Sequence, residues 1–206
     1  MCGIGLIGAS GTGKTTLAKE ITRVTGVPFI QSQARAVHKS LGIDVNKSPC
    51  YELAMEAQKK ILEVSEQQYK SIEGIFISDR TPIDFASYAM AQTLAHNLSE
   101  RQTRDVIKYV DECYRVTNMY FSSVILIQPS FKIFQEEGRA NNEAYAQHIN
   151  MIMTGMVADP SNRIFCAKHF LKKSITDLKT RVDLVIKIAS LVEINNMKQG
   201  SLQTHH

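Results

Sequence analysis

The chain has 206 residues, of which 44% are apolar and 21% charged, a composition typical of one globular domain with at most a small insertion. Its formal net charge of +4 at pH 7 suits a phosphate-rich ligand but does not by itself indicate nucleic acid. The four cysteines share no C-x-x-C spacing and no apolar run approaches the roughly 18 residues of a membrane helix, so we expect a cytoplasmic protein without a disulfide framework, a zinc site or a membrane partner.

The first predicted element is a short strand that leads directly into a glycine-rich loop. The apolar run at 4–7 suits a buried parallel strand, and it starts too early to leave room for a signal peptide. Residues 8–15 read G-A-S-G-T-G-K-T, which matches the phosphate-binding pattern G-x-x-x-x-G-K-[ST]. Apolar residues at helical spacing then follow, and Gly26 marks the end of the predicted helix. This context favours a phosphate-binding loop over an ordinary glycine-rich turn.

The residue types of this loop explain how it would hold a nucleotide. Glycines allow the backbone to approach phosphate oxygens, so that successive N–H groups and the N-terminus of the following helix surround the anion. The Lys14 ammonium group can reach the β- and γ-phosphates, and the Thr15 hydroxyl group can bind Mg²⁺. We expect nucleotide contacts from Gly8, Ser10, Gly11, Thr12, Gly13, Lys14, Thr15 and Thr16.

The rest of the chain alternates predicted strands and helices. Strands are predicted at 27–32, 74–80, 123–129 and 162–168. Helices are predicted at 33–42, from a Ser48-Pro49 cap to about 71, from Pro82, from a capping box at 99–102, and from 174 to about 192. This alternation predicts an α/β fold, with a five-stranded parallel sheet flanked by helices in a single domain over 1–195. Residues 196–206 are predicted to form a disordered tail.

Two charged residues follow the third predicted strand, at the edge of a parallel sheet where ligands bind. Asp79 and Arg80 come directly after this apolar strand. Asp79 can hold Mg²⁺ or accept the proton of an attacking hydroxyl group. Arg80 can bind an anionic substrate group or the transferring phosphoryl group. A salt bridge at the strand end is the structural alternative for this pair.

Further residues at the same edge are candidates for binding an acceptor. Asp84 lies in the first turn of the next predicted helix, where it either faces the substrate or is simply an acid favoured by the helix dipole. A polar stretch follows the second strand, and its side chains can hydrogen-bond a base or a sugar, although some would be exposed residues at a helix start. These candidates are Gln31, Ser32, Gln33 and Arg35.

Two polar segments in the second half of the chain are candidates for contacts with phosphate. The segment at about 134–145 contains Arg139 and a glycine, which is typical of a mobile lid that excludes water and brings a cation to the reacting phosphoryl group. An ordinary solvated loop is the alternative. The basic residues at 168–173 would either contact phosphate or nucleic acid, or form a solvated turn after the fifth strand.

Taken together, these motifs resemble those of the P-loop nucleoside and nucleotide kinases, in the NadR-like AAA-domain branch. The matching stretches are GASGTGKTTLA, the GVPFI that enters strand two, SDRTPIDFASY and EEGRA, which span about residues 3–160. The first stretch is general to P-loop proteins, whereas D-R-T-P-x-D is more diagnostic of this branch. Within it, the chain is most similar to a group common in bacteriophage genomes, some members of which phosphorylate 5-hydroxymethyluracil in DNA.

This resemblance implies a kinase that uses ATP and Mg²⁺. It implies that Lys14 and Thr15 contact ATP–Mg²⁺, that Asp79 is an acid/base or a metal-binding carboxylate, and that Arg139 touches the transferring group. The implied acceptor is a hydroxyl group of a nucleotide or nucleobase, including 5-hydroxymethyluracil in phage DNA or its nucleotide. Kinases of deoxynucleoside monophosphates or nucleosides are the alternatives.

A P-loop ATPase or switch module is the alternative from another functional class. Motor ATPases commonly place a pair of acids after the strand on the Mg²⁺ side, and the second acid polarises water. Here an arginine, Arg80, follows Asp79. The pattern therefore favours a kinase, and it leaves the acceptor and the oligomeric state open.

Overall fold

The computed structural model describes residues 2–44, 47, 49–93, 96–129, 143–161 and 163–203, with the backbone alone for 191–203. The strands are β1 (Cys2–Ile7), β2 (Phe29–Ile30), β3 (Ile75–Ser78), β4 (Phe121–Ile127) and β5 (Ala167–Leu171). The helices are α1 (Lys14–Thr25), α2 (Ala34–Ser40), α3 (Tyr51–Lys70), α4 (Pro82–Gln92), α5 (Glu100–Tyr120), α6 (Glu143–Ala158) and α7 (Leu178–Gln203). Most of the predicted lid, including Arg139, lies outside the described residues.

The five strands form one parallel sheet in the order β2-β3-β1-β4-β5, which confirms the predicted α/β fold. β1 lies in the centre of the sheet and pairs with β3 and β4. The central position of β1 explains its nearly continuous apolar sequence, because a central parallel strand is covered on both faces. Since the strands run in the same direction, the segments that follow β1, β2 and β3 meet at one edge of the sheet.

Helices cover both faces of this sheet. On one face α3, α4, α5 and α6 pack in a core that includes Phe85 and Ile149. On the opposite face α1 and α7 pack in a second core that includes Leu17 and Val182. Successive residues of β4 alternate between the two cores, as the two-residue period of a strand requires. Within the described residues, none of the helices combines the length and the apolarity needed to cross a bilayer.

The fifth strand lies later in the chain than the sequence pattern predicts. The apolar pattern places it at 162–168, but β5 pairs with β4 through Ala167–Leu171. Only Leu171 is buried in β5, so this edge strand carries little of the apolar signal. The buried Ile164 lies in the connection that precedes it. The basic cluster predicted at 168–173 therefore begins inside the strand rather than after it.

Two elements in the first half of the chain are shorter than predicted. β2 has two residues, because the Ser32 N–H that would extend it donates instead to the Asp79 carboxylate, at 3.0 Å. α3 starts at Tyr51, with Cys50 in an extended conformation as its N-cap. The sequence pattern predicted Pro49 at the first helical position, but Pro49 lies one residue before the N-cap.

The last helix differs from its prediction at both ends. α7 starts at Leu178 rather than at residue 174, because the Asp177 carboxylate accepts a hydrogen bond from the Thr180 N–H at 2.7 Å, the bond made by an N-cap residue. α7 then continues to Gln203, since no proline interrupts it. The described part of α7 therefore includes residues 196–203 of the tail predicted to be disordered, and residues 204–206 lie outside the described residues.

Candidate active site

The phosphate loop connects β1 to α1, and Gly13 and Gly8 show why its backbone needs glycine. Gly13 is the N-cap of α1 and has a φ of 85°, in the left-handed region that side chains disfavour. Gly8 approaches β4 closely, so that a Cβ atom there would lie 2.7 Å from the Ile127 carbonyl oxygen. The loop can therefore present backbone N–H groups and the positive end of α1 to an anion.

The Lys14 side chain folds back over the start of this loop. Its Nζ donates hydrogen bonds to the carbonyl oxygens of Gly8 and Ala9, the second at 2.9 Å. Thr12 Oγ1 donates to the same Ala9 oxygen at 3.0 Å. Lys14 is 7% exposed, which places its ammonium group in a partly desolvated position, where its attraction for an anion is stronger than in water.

Asp79 and Thr15 are brought together although they are far apart in the sequence. The Thr15 hydroxyl donates to Asp79 Oδ2 at 2.5 Å, and the Ser32 N–H donates to Asp79 Oδ1 at 3.0 Å. This contact arises because β3, which ends just before Asp79, lies beside β1 in the sheet. A salt bridge between Asp79 and Arg80, the structural alternative for this pair, is not among the ion pairs of the described residues.

These two side chains fit a Mg²⁺ ion by their chemistry, since hydroxyl and carboxylate oxygens are the donors that Mg²⁺ prefers. The described residues contain no cluster of three His, Cys, Asp or Glu side chains that could hold a metal ion by themselves. Thr15 and Asp79 would therefore bind Mg²⁺ together with nucleotide phosphates and water, as is usual for this ion.

Asp84 is fully buried beneath the phosphate loop and does not line the cavity. Its carboxylate accepts hydrogen bonds from the N–H groups of Thr81 at 2.8 Å and Gly8 at 3.3 Å, and it completes the capping box of α4. Burial raises the pKa of the Asp84 carboxyl group, and the charges of Lys14 and Arg80 oppose that shift. These contacts support the structural role of Asp84 over the predicted contact with substrate, and they turn the Gly8 N–H away from a phosphate.

Replacing Asp84 with alanine is expected to destabilise the protein. The change leaves the N–H groups of Gly8 and Thr81 buried without an acceptor, at a cost of about 1–3 kcal/mol for each group. Denaturant unfolding should show this loss, whereas Asp183→Ala, which changes an exposed carboxylate on α7, should change stability little. Unchanged stability together with a raised KM for the acceptor would instead indicate the contact with substrate.

The phosphate loop opens into a cavity of about 490 Å³. Residues of the loop and of the start of α1 form one end of it: Ser10, Gly11, Thr12, Gly13, Lys14, Thr15 and Thr16. Of the predicted acceptor residues, Gln31, Ser32 and Arg35 line this cavity, whereas Gln33 does not. The Gln33 amide donates to the Gln31 carbonyl oxygen at 3.2 Å, and Gln33 caps α2.

The other end of the cavity is formed by α3, α4 and α6, and its residues were not found by sequence reasoning. Its walls are apolar or aromatic, with two amide side chains among them: Ala57, Gln58, Ile61, Phe85, Tyr88, Gln92, Tyr145 and Ile149. The Oε1 atoms of Gln58 and Gln92 are buried and have no hydrogen-bond partner among the described residues. Both side chains line the pocket, and an amide whose oxygen lacks a partner gains a hydrogen bond if it turns that oxygen toward a ligand.

Arg80 lies between the two ends of this cavity. Its guanidinium group stands 5.1 Å from the centroid of the Tyr88 ring, and the Ser78 hydroxyl donates to its carbonyl oxygen at 2.6 Å. Burial and the charge of Arg80 lower the pKa of His38, which also lines the cavity. Burial raises the pKa of Tyr145 to about 12, so its hydroxyl group stays neutral at physiological pH and remains a hydrogen-bond donor.

Comparison with known protein families gives a match over most of the chain. A model of the AAA domain family matches residues 4–170. The chain belongs to this AAA domain family. The match includes the phosphate loop, Asp79 and the parts of α3, α4 and α6 that form the other end of the cavity, and it ends before α7. Comparison with curated protein sequences finds no match for this AAA domain.

Solved structures share the fold of this AAA domain at low sequence identity. A deoxyadenosine kinase from M. mycoides with bound dCMP and dCDP has a TM-score of 0.68 at 19% identity, over 92% of this chain and 99% of the kinase. The thymidylate kinase of Candida albicans has a TM-score of 0.61 at 9% identity, over 95% of this chain and 92% of the kinase. The NadR protein with NAD and AMP-PNP has a TM-score of 0.67 at 15% identity, over 92% of this chain and 49% of NadR. The AAA domain therefore has the fold of the P-loop nucleoside and nucleotide kinases.

Proposed function

We propose that this protein is a kinase that transfers the γ-phosphoryl group of ATP to a nucleotide-type acceptor. The observation that carries the proposal is a single cavity with a phosphate loop at one end and an aromatic pocket with two buried amides at the other. A transferase needs both substrates in one site with their reacting groups close together. An ATPase or switch module, by contrast, needs no second pocket.

The residues at the phosphate-loop end have distinct roles in this proposal. Lys14 and the loop N–H groups bind the phosphates of ATP, and Thr15 and Asp79 hold Mg²⁺. When bound, Mg²⁺ neutralises charge on the β- and γ-phosphate oxygens. Arg80, at the middle of the cavity, binds an anionic group of the acceptor or the transferring phosphoryl group. Arg139, which lies outside the described residues, is proposed to reach the same group from the lid.

The acceptor end suits a nucleobase. Phe85, Tyr88 and Tyr145 offer aromatic surface for a flat ring. The amide groups of Gln58 and Gln92 each provide a donor and an acceptor for the polar edge of a base. More specifically, we propose that the acceptor is 5-hydroxymethyluracil, either within phage DNA or as its nucleotide. Its hydroxymethyl group then receives the phosphoryl group. A base within duplex DNA would have to be flipped out of the helix to enter this pocket.

A nucleoside monophosphate is the second candidate acceptor, and the surroundings of Asp79 favour it. Both carboxylate oxygens of Asp79 already accept hydrogen bonds, from Thr15 and Ser32, and Asp79 is the single carboxylate among the described residues that line the cavity. An alcohol acceptor must lose a proton during transfer, whereas a phosphate oxygen at neutral pH needs no general base. The cationic side chains of Arg35 and Arg80 also line the cavity and would attract an acceptor phosphate.

A transfer assay with γ-labelled ATP tests the proposal and separates these acceptors. The panel should contain deoxynucleosides, deoxynucleoside monophosphates, 5-hydroxymethyl-dUMP, and duplexes with thymine or 5-hydroxymethyluracil at one position. The diphosphate and the phosphorylated hydroxymethyl compound have the same mass, so fragmentation in tandem mass spectrometry is used to tell them apart. We expect transfer to at least one nucleotide-type acceptor, with much less label released to water. If the protein hydrolyses ATP at the same rate with every member of the panel and labels none of them, the kinase proposal is contradicted and the ATPase alternative is supported.

A further inference from the structure

A buried arginine from α7 contacts the back of the phosphate loop. Arg181 is 3% exposed, and its Nη1 donates to the Thr12 carbonyl oxygen at 3.2 Å. Its Nε donates to the Ile175 carbonyl oxygen, in the segment between β5 and α7, at 2.7 Å. Arg181 lies beyond residues 4–170 that match the AAA domain family, and no motif in the sequence points to it.

The contact fixes the direction of one N–H group in the loop. The Thr12 carbonyl and the Gly13 N–H belong to the same trans peptide, in which the two groups point in opposite directions. Thr12 and Gly13 line the cavity, whereas Arg181 does not. An arginine that holds the carbonyl from outside the cavity therefore turns the Gly13 N–H away from itself and toward the side where phosphates bind.

The guanidinium group is also close enough to act through its charge. A Cβ atom built on Gly13 would lie 3.7 Å from Arg181 Nη1, so the cation packs directly against this peptide. Burial lowers the pKa of Arg181, but an arginine side chain remains protonated in proteins. A hydrogen bond from a charged donor to the Thr12 carbonyl polarises the peptide and makes its N–H a stronger donor.

We propose that Arg181 is a positioning residue for ATP, which acts through the Thr12–Gly13 peptide and does not touch the nucleotide. Its guanidinium group holds this peptide in the orientation that binds phosphate and so lowers the cost of organising the loop when ATP arrives. The proposal rests on the proposed function only in that the phosphate loop binds ATP, and it is independent of the acceptor.

The test compares ATP affinity and stability in matched variants of the full chain. Arg181→Met keeps most of the side-chain volume and removes the donors, and Arg181→Lys keeps the charge without the fork of N–H groups. The control is Arg115→Met, because Arg115 is a partly exposed arginine of α5 that is paired with Glu112, away from the cavity. Titration calorimetry gives the Kd for Mg²⁺–ATP, and thermal unfolding without nucleotide gives the stability of each variant.

We expect Arg181→Met to weaken ATP binding by about tenfold or more, the size of effect that a lost charge-assisted hydrogen bond produces. Arg181→Lys should recover part of this loss, and the control should bind ATP like the wild type. In the transfer assay the KM for ATP should rise while the KM for the acceptor stays unchanged.

Several results would overturn the positioning role. Lower thermal stability of Arg181→Met with an unchanged Kd for ATP would make Arg181 a structural residue only. If Arg181→Met does not fold, Arg181→Gln, which keeps a polar side chain but removes the charge and the fork of N–H groups, decides, and wild-type ATP affinity in that variant would reject the role. Wild-type protein that binds ATP but phosphorylates no acceptor would contradict the proposed function alone, because the binding measurement still reports on Arg181.

Discussion

Replacing Lys14 with alanine is expected to reduce phosphoryl transfer by at least about 100-fold, the typical loss when a group that stabilises transition-state charge is removed. The reason is the position of its ammonium group, which is bonded to the Gly8 and Ala9 carbonyl oxygens at the start of the phosphate loop. Phosphate oxygens are stronger acceptors than these carbonyls, so the ammonium group can exchange its loop contacts for contacts with ATP. The measurement is the rate of label transfer with both substrates saturating.

The control for this change is Lys60→Ala, which removes an exposed lysine paired with Glu63 on α3. Thermal unfolding should show that both variants remain folded. The lower transfer rate of Lys14→Ala is then due to the missing ammonium group and not to unfolding. A folded Lys14→Ala protein that transfers phosphate at the wild-type rate would contradict the role of the phosphate loop in the reaction.

Replacing Asp79 with asparagine should also collapse transfer, by roughly 10²–10⁴-fold if the carboxylate acts as a general base. The change keeps the shape of the side chain and leaves an oxygen to accept from the Ser32 N–H, so we expect little change in melting temperature. The negative charge that faces Thr15 is lost. Asp111→Asn, which changes an exposed carboxylate paired with Arg163, is the matched control.

The Mg²⁺ dependence of ATP binding tells the two active roles of Asp79 apart. Because its Oδ2 accepts from the Thr15 hydroxyl at 2.5 Å, we expect Asp79→Asn to lose the part of the ATP affinity that depends on Mg²⁺. Retained Mg²⁺-dependent affinity with lost transfer would assign Asp79 to the acceptor proton. Wild-type transfer would leave Asp79 with a structural role.

Sequence reasoning predicted the parts of this fold that depend on residues close together in the chain. The phosphate loop is encoded in eight consecutive residues, and Ser99 with Gln102 forms the predicted capping box. The fifth strand was misplaced because β5 is an edge strand whose side chains are mostly not buried. Its position is set by pairing with β4, and no pattern within the strand itself reports that pairing.

The residues missed in the candidate site depend on contacts between distant parts of the chain. Gln58 interrupts the apolar stripe of α3 and could have been noticed as a buried polar residue, but only the packing of α4 and α6 against α3 makes it part of a pocket. Arg181 is 169 residues away from the Thr12 carbonyl that it contacts. Asp84 was predicted to be either a substrate contact or a helix-start acid, and its hydrogen bond from the Gly8 N–H, 76 residues away in the sequence, could not be predicted from the local pattern.

The phosphate loop is tied by buried charges to both faces of the sheet, through Asp84 at its start and Arg181 near its end. Asp84 belongs to the helix layer of one hydrophobic core and Arg181 to that of the other. Ligand binding and packing are then thermodynamically linked in both directions, since whatever orders the loop also favours the docked positions of the two helices. Nucleotide binding would accordingly slow amide hydrogen exchange in α4 and α7 together. A substitution in the core beneath either helix would likewise change the affinity for the nucleotide.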